Sequence, residues 1–507
     1  MMRSLFIVSP ALVLCLGSVL VLLVGLWVKS NATLLTISFA ALVGAAGLYL
    51  SMYGKPSQEV FAGMLSFDGF GLFFSLFACV AVALGLMLSA RSREILSDRR
   101  SEYYSILLAL CTGLIFMSTA NHFLMIYLAI ETVSILSYTL AGFHREKTAS
   151  VEASLKYVVY GSMASAIMIY GFSLLFGATG HVDLVGLRGY FATTPTEQIP
   201  SIIWLAVLLT FAGTGYKISA APMHMWTPDV YDGAPTPVSA LLSVAPKAAG
   251  FALLIRFFIT GFTHPLSAGS AAAISLSDNA SQIAFHFVAP FNWPKFLLIS
   301  SIFTMFMGNL AALGQVSVKR ILAYSSIAHA GYMLMGLSTQ SYMGLYSVVF
   351  YLILYCAMNI GAFWISSLVE DTFGGDQLRY FRGLGSRKPF FAACMTIFLF
   401  SLTGLPPFAG FIGKLYLFSA VIAREMYGLA ILAALNSVIS LFFYAKIVKA
   451  MFLEEAEVQM PTGKTALDSK VTAVFIFLLA VPNIVLCFYW EPVLRISQDA
   501  LRLFTGN

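Results

Sequence analysis

Residues 213–250 read GTGYKISAAPMHMWTPDVYDGAPTPVSALLSVAPKAAG. Two lysines, Lys217 and Lys247, stand thirty positions apart in this stretch, with Pro222, Pro228, Pro235 and Pro237 between them. An apolar run at 202–211 leads into Lys217, and another at 248–255 follows Lys247. Both lysines therefore fall at membrane-helix positions, where an ammonium costs roughly 2.5–3.5 kcal/mol and is usually functional. Proline removes a backbone donor and breaks a helix. A broken helix at membrane depth is tolerated only where it is buried in protein or lines a cavity. Charge on a broken helix inside a bilayer points to an ion path.

The rest of the chain agrees with a membrane setting. Of 507 residues 59% are hydrophobic and 10% charged, with a mean hydropathy of +0.86. A soluble chain carries about 25% charged residues. The net charge of +6 needs no nucleic-acid partner, because basic loops on the cytoplasmic side account for it. Cys15, Cys79, Cys111, Cys356, Cys394 and Cys487 all lie in apolar runs and form no CxxC or Cys/His metal spacing, so they read as packing residues and no metal site is expected. Neither a dinucleotide fingerprint nor a P-loop is present, so nucleotide chemistry, if any, happens on another chain. Arg3 followed by the apolar run 5–28 is long enough to span and lacks a small-residue cleavage site, so it reads as a first span.

Apolar runs of about 20 residues predict an all-α polytopic fold. Its fourteen spans fall at 5–28, 31–53, 69–90, 103–119, 122–142, 151–177, 200–221, 237–262, 294–313, 321–338, 343–368, 389–423, 427–450 and 471–490. The longer loops are 178–199, 263–293, 369–388 and 451–470. Of 29 Lys and Arg, 17 fall on one side, 8 (Arg256 among them) on the other and four within spans. The basic side is then cytoplasmic, and the even count places both termini on the outer side. The seventh span breaks at Ala221-Pro222 and the twelfth at Gly404-Leu-Pro406-Pro407, each with a lysine nearby. Two broken helices five spans apart cross in opposite directions, as inverted repeats do. The expected organisation is three N-terminal spans (1–102), a first repeat of spans four to eight (103–262), a second of spans nine to thirteen (263–450), and a last span with its tail (451–507).

Glu131 sits ten residues past Asn121, about 15 Å into the fifth span and so near the midplane. It reads as a proton site whose charge balances Lys217. As one straight helix, 200–231 would be about 48 Å long, too long for a ~30 Å core, so geometry also requires the break. Lys247 lies ten residues past Pro237 with no carboxylate within a turn. Desolvation makes such a lysine release its proton more readily, as a relay requires. His329, in IAHAGYMLMG, suits a relay by its ordinary pKa, although a core histidine bonded to a carbonyl is the plainer alternative. Lys414 follows the Pro406-Pro407 break, and Glu152 with Lys156 forms an i, i+4 pair, for structure or for coupling. His122, His144, His181, His264 and His286 read as loop or interface residues.

Together these segments carry a resemblance. The run KISAAPMHMWTPDVYDGAPTPVSALLSVAPKAAGFALLIR, with IETVSILSYTLAGF, EASLKYVVYGSMASA, LGQVSVKRILAYSSIAHAGYMLMG and SLTGLPPFAGFIGKLYLF, resembles the antiporter-like subunits of respiratory complex I. The resemblance covers about residues 60–450 and implies fourteen helices in two inverted repeats. It implies that Glu131, Lys217, Lys247 and Lys414 are the group's fifth-, seventh-, eighth- and twelfth-span proton residues. An M-type subunit is expected to carry a glutamate where Lys414 stands, and an L-type subunit continues into a lateral helix for which the chain to Asn507 leaves no room. Within the group the segments are most similar to the N-type subunits, the equivalent of mitochondrial subunit 2. The Ala- and Ser-rich 263–293 loop is longer than the pattern needs.

The resemblance implies a proton-translocating subunit of an NADH:quinone oxidoreductase, flanked by K-type and M-type membrane subunits and by lipid. NADH, FMN, iron–sulfur clusters and quinone would reside on other subunits, with no cofactor or metal on this chain. Protons would pass by Lys247 and His329 to Lys414 and leave on the outer side. One rival is a subunit of a multisubunit Na⁺/H⁺ antiporter, which would want extra oxygen ligands beside the lysines. A ferredoxin- or hydrogenase-linked relative, or a passive scaffold, are the others. A scaffold needs neither intramembrane lysines nor broken helices.

Overall fold

The computed structural model describes residues 2–95, 97–263, 285, 292–461, 463 and 465–505. Its helices are α1 (Met2–Gly25), α2 (Asn31–Met52), α3 (Gly69–Ser89), α4 (Arg100–Thr119), α5 (Phe123–Ala141), α6 (Thr148–Thr179), α7 (Leu184–Thr193), α8 (Ile202–Ile218), α9 (Trp226–Gly233) and α10 (Thr236–Ile255). They continue from residue 293 with α11 (Trp293–Leu313), α12 (Val318–Ser338), α13 (Tyr342–Phe373), α14 (Pro389–Thr403), α15 (Ala409–Ala423), α16 (Tyr427–Leu453), α17 (Lys470–Phe488) and α18 (Glu491–Asp499). A short antiparallel hairpin, β1 (Gln58–Val60) with β2 (Leu65–Phe67), closes one end of the bundle between α2 and α3. Most of the 263–293 loop, with His264 and His286, lies outside the described residues.

Each of the fourteen expected spans has its helix. Eleven helices among the described residues are long and apolar enough to cross a membrane. The broken seventh and twelfth spans supply the shorter apolar helices α8, α14 and α15. The tenth is α12, 21 residues long and opened by Lys319 and Arg320. Buried on every face, α10 packs against α3, α4, α8 and α13. A helix apolar all round has no wet face to offer, so Lys247 on α10 is enclosed by protein and not by lipid.

Two sets of elements match in order. The 32-residue helices α6 and α13 both end on left-handed glycines, Gly180 (φ 73°) and Gly374 (φ 80°). His122, just before α5, bridges Asp183, just after α6; Ser317, just before α12, bridges Gln377, just after α13. Each set then runs into a broken helix and a further long one, α8/α9 with α10 and α14/α15 with α16.

Two cations counted by side, Arg256 on the outer and Lys319 on the cytoplasmic, prove buried. Arg256 follows the last residue of α10 and is 2% exposed. It pairs with Asp68 through both oxygens, at 2.8 and 2.9 Å, and donates to the Ser118 carbonyl at 3.2 Å. Lys319 is likewise buried, on the Ala234 carbonyl at 3.1 Å and near Glu370 at 3.6 Å. The sequence places these partners up to 188 positions apart, so a count of loop charges could not separate them.

Candidate proton path

The first break begins where Ser219 takes a left-handed conformation (φ 62°) and ends α8, with its N–H bonded back to Gly215 and Tyr216. Proline at 222 cannot donate, so the chain cannot resume the helix there. The freed groups find partners on α11: the Ala221 N–H donates to Thr304 Oγ1 at 2.8 Å, and Ser300 Oγ donates to the Ala221 carbonyl at 3.0 Å. Across the break, Trp226 on α9 donates its ring N–H to the Tyr216 carbonyl at 3.1 Å and stacks on Tyr157. The freed backbone groups are thus bonded within the protein, as their depth demands, while Pro222 and Met225 stay exposed.

Lys217 occupies the last turn of α8, 1% exposed. Its Nζ lies 6.0 Å from the Tyr157 ring and makes no hydrogen bond. Glu131 Oε1, on α5, is also buried without a partner. No ion pair joins the two among the described residues, although the carboxylate's charge reaches Lys217 through space. The charge balance expected of the pair acts through space, without contact.

Lys247 is held differently. Its Nζ donates to both the carbonyl and the hydroxyl of Ser326, each at 2.8 Å, and lies 6.0 Å from the Tyr231 ring. Gly250, one turn on, lets α8 approach: a Cβ there would sit 2.6 Å from Ile218 Cγ2. Counting from the two bridging residues, His122 and Ser317, Glu131 and Ser326 are both ninth. The second set thus carries a hydroxyl where the first carries a carboxylate.

Ser326, His329 and Tyr332 line one face of α12 at i, i+3 and i+6, over about 9 Å of helix. Tyr351 Oη lies 2.7 Å from Nδ1 of His329 and Tyr444 Oη 3.2 Å from Nε2. The Tyr332 ring lies 4.5 Å from Lys414 Nζ. One face of one helix therefore touches Lys247, carries His329 and reaches Lys414. His329 is bonded to tyrosines, not to a carbonyl.

At the second break Gly404 is left-handed (φ 88°) and closes α14. Lys414, one turn into α15, turns back to donate to the Thr403 carbonyl at 2.8 Å and to Ser437 Oγ at 2.9 Å. A Cβ on Gly404 would stand 2.7 Å from Lys414 Cδ. Both the backbone conformation and the lysine's course require glycine here. The carbonyl end of a helix favours a cation, so Lys414 caps the half-helix it faces. Pro406 and Pro407, like Pro222, lie in the unwound segment.

Glu152 and Lys156 pair at 2.8 Å as spaced. Lys156 also meets Asp229 of α9 at 2.7 Å, and Asp229 meets Arg320 of α12 at 3.2 Å. Arg320 reaches on to Asp232 at 3.4 Å. These groups surround a cavity of about 170 Å³. Burial and the neighbouring Asp376 carboxylate raise the Asp232 carboxyl above its ordinary value, against the pull of Lys319 and Arg320. The network ties both sets of helices together at one end of the bundle. Reading by spacing found Glu152 and Lys156 but not Asp229, Asp232 or Arg320. It also passed over His224, whose Nδ1 is buried in the first break without a partner; its place between Pro222 and Trp226 was the available signal.

Comparison with known proteins gives a consistent picture. The family profile described as "NADH:quinone oxidoreductase/Mrp antiporter, TM" matches residues 120–276 and 266–440. NADH-quinone oxidoreductase subunit N of Anaeromyxobacter sp. (strain Fw109-5) is 39% identical over 100% of this chain and 98% of its own length. Subunit N 2 of Sorangium cellulosum (strain So ce56) is 43% identical over 97% and 96%. Among solved structures, a chain of respiratory complex I from Thermus thermophilus with bound aureothin superposes with a TM-score of 0.76 at 29% identity, covering 96% of this chain and 98% of that one. A chain of the Mrp complex from Dietzia sp. DQ12-45-1b gives 0.80 at 19% identity, covering 99% and 98%. That last likeness is one of fold alone.

Proposed function

From a chain that belongs to the subunit N family of NADH-quinone oxidoreductase, we infer a proton-translocating membrane subunit working beside other membrane subunits of that complex. The observation that carries the reading is the series of polar groups, half-buried Glu131 and buried Lys217, Lys247, His329 and Lys414, set on two broken helices and the helices around them. Nucleotide, flavin, iron–sulfur and quinone chemistry belongs to other subunits in this reading, and the neighbours in the membrane are K-type and M-type. The matched sets of elements support repeats at 103–262 and 263–450, flanked by 1–102 and 451–507.

An opposite charge nearby favours the protonated ammonium. Movement of Glu131 relative to Lys217 therefore changes how firmly Lys217 holds its proton, and Lys247 responds next. The proton then crosses the α12 face by His329 to Lys414 and leaves on the outer side. Pumping by the reconstituted complex tests this. Lys247→Ala removes it with assembly intact, whereas Lys247→Arg retains part through the charge it keeps and loses the rest because arginine does not release its proton. Full pumping by the alanine variant would make Lys247 a structural lysine. The same orientation places loops 91–102, 143–150 and 369–388 in the cytoplasm and both termini outside. Labelling of a Ser386→Cys variant from outside intact cells would contradict it.

A further inference from the structure

His329 has two ring nitrogens, and in the neutral ring one donates while the other accepts. Tyr444 donates its hydroxyl proton to Ser325 Oγ at 2.7 Å. Its oxygen is then left to accept, which puts the proton of His329 on Nε2. Nδ1 is consequently the acceptor, and Tyr351, at 2.7 Å, donates to it. Ser325 lies on α12, Tyr351 on α13 and Tyr444 on α16. Three helices thus fix both the direction of the ring and its tautomer. Tyr332 and Tyr355 lie against the ring at 6.0 and 5.2 Å between centroids, and the nearby charges are those of Lys414 and Lys247.

We propose that Tyr351 and Tyr444 are positioning residues that hold His329 as the Nε2–H tautomer, its basic nitrogen facing α13 and its proton facing α16. The functional use of this arrangement rests on the relay reading above. Uptake at Nδ1 with release from Nε2 gives the ring one proton and removes one. The imidazole ends neutral with its proton on the other nitrogen. Both hydroxyls must then reorient before a second proton follows, so each passage is tied to a reset of the site. Replacing either tyrosine by phenylalanine keeps the ring packing and removes only the hydroxyl. Without Tyr444 the ring is free to exchange tautomers; without Tyr351 it keeps Nε2–H on Tyr444 but loses the donor at Nδ1.

The test uses the assembled complex in membranes with ¹³C,¹⁵N-labelled histidine, read by solid-state NMR. A difference spectrum against His329→Gln isolates the one ring. The expected signal is a single Nε2–H tautomer, which becomes a mixture in Tyr444→Phe and stays Nε2–H in Tyr351→Phe, where Tyr444 still accepts that proton. Pumping should fall about tenfold in each, with the complex whole on a native gel. An Nδ1–H ring in the unaltered protein overturns the proposal, as does an unchanged spectrum in Tyr444→Phe. Undiminished pumping by His329→Gln would refute the relay reading instead. The two failures are distinct because the spectrum is read without reference to pumping.

Discussion

The two broken helices solve one problem in opposite ways. Each must leave the helical path inside the bundle, and each has a lysine within a few residues of the break. At the second break the lysine is part of the repair: Lys414 caps the Thr403 carbonyl that Gly404 sets free. At the first, a tryptophan ring and two hydroxyls of α11 do the repair, and Lys217 is left with no bond to make. A lysine that holds structure together has little freedom to change partners. One that holds nothing can respond to a moving carboxylate. We read the first break as the responsive site and the second as the firmer one.

The largest contrast should appear on removing the lysines. Lys414→Ala and Lys217→Ala should both stop pumping, but only the first leaves a buried carbonyl short of its cation. The Thr403 carbonyl keeps the Ser437 hydroxyl at 3.2 Å, so what is lost is one hydrogen bond from a charged donor, about 1.5–3 kcal/mol. Hydrogen exchange should accordingly quicken around 400–410 in Lys414→Ala and stay unchanged around 213–220 in Lys217→Ala. Equal loosening at both breaks would erase the distinction.

Gly404→Ala should have a smaller effect, on the second break alone. A left-handed alanine costs roughly 1–2 kcal/mol, and its Cβ would press on Lys414 Cδ. The midpoint of thermal unfolding of the purified complex, with exchange at 400–410, measures this. Smallest of all should be Trp226→Phe, which keeps most of the stacking on Tyr157 and removes one hydrogen bond to Tyr216. That bond is worth about 0.5–1.5 kcal/mol, seen as faster exchange at 216–222 with pumping largely kept.

Much of this was legible before any coordinates. Length and hydropathy placed the spans, and prolines and glycines marked both breaks to within a few residues. Four in-span lysines, Lys156, Lys217, Lys247 and Lys414, stood out because charge is expensive there. What stayed hidden was who holds each one. Ser326 and Lys247 are 79 positions apart, and Asp229 and Lys156 are 73. Such pairs depend on which helix faces meet, and an apolar run carries little of that information when a helix such as α10 is buried all round. Arg256 was misassigned for the same reason: its partner, Asp68, sits on another element beside the hairpin. The tyrosines about His329 were in plain view in the sequence, but tyrosine is common in membrane helices and their convergence is a property of the fold.

The central claim is that Glu131 and Lys217, unbonded in this state, act as one unit. Their double-mutant cycle tests it most directly, with initial pumping rates measured for the unaltered complex, Glu131→Gln, Lys217→Ala and the pair. Groups that work through each other give non-additive changes. Each single variant should lose most of its pumping with the complex assembled, and the double variant should be no worse than the worse single. Losses that add would place the two residues on separate paths and contradict the account.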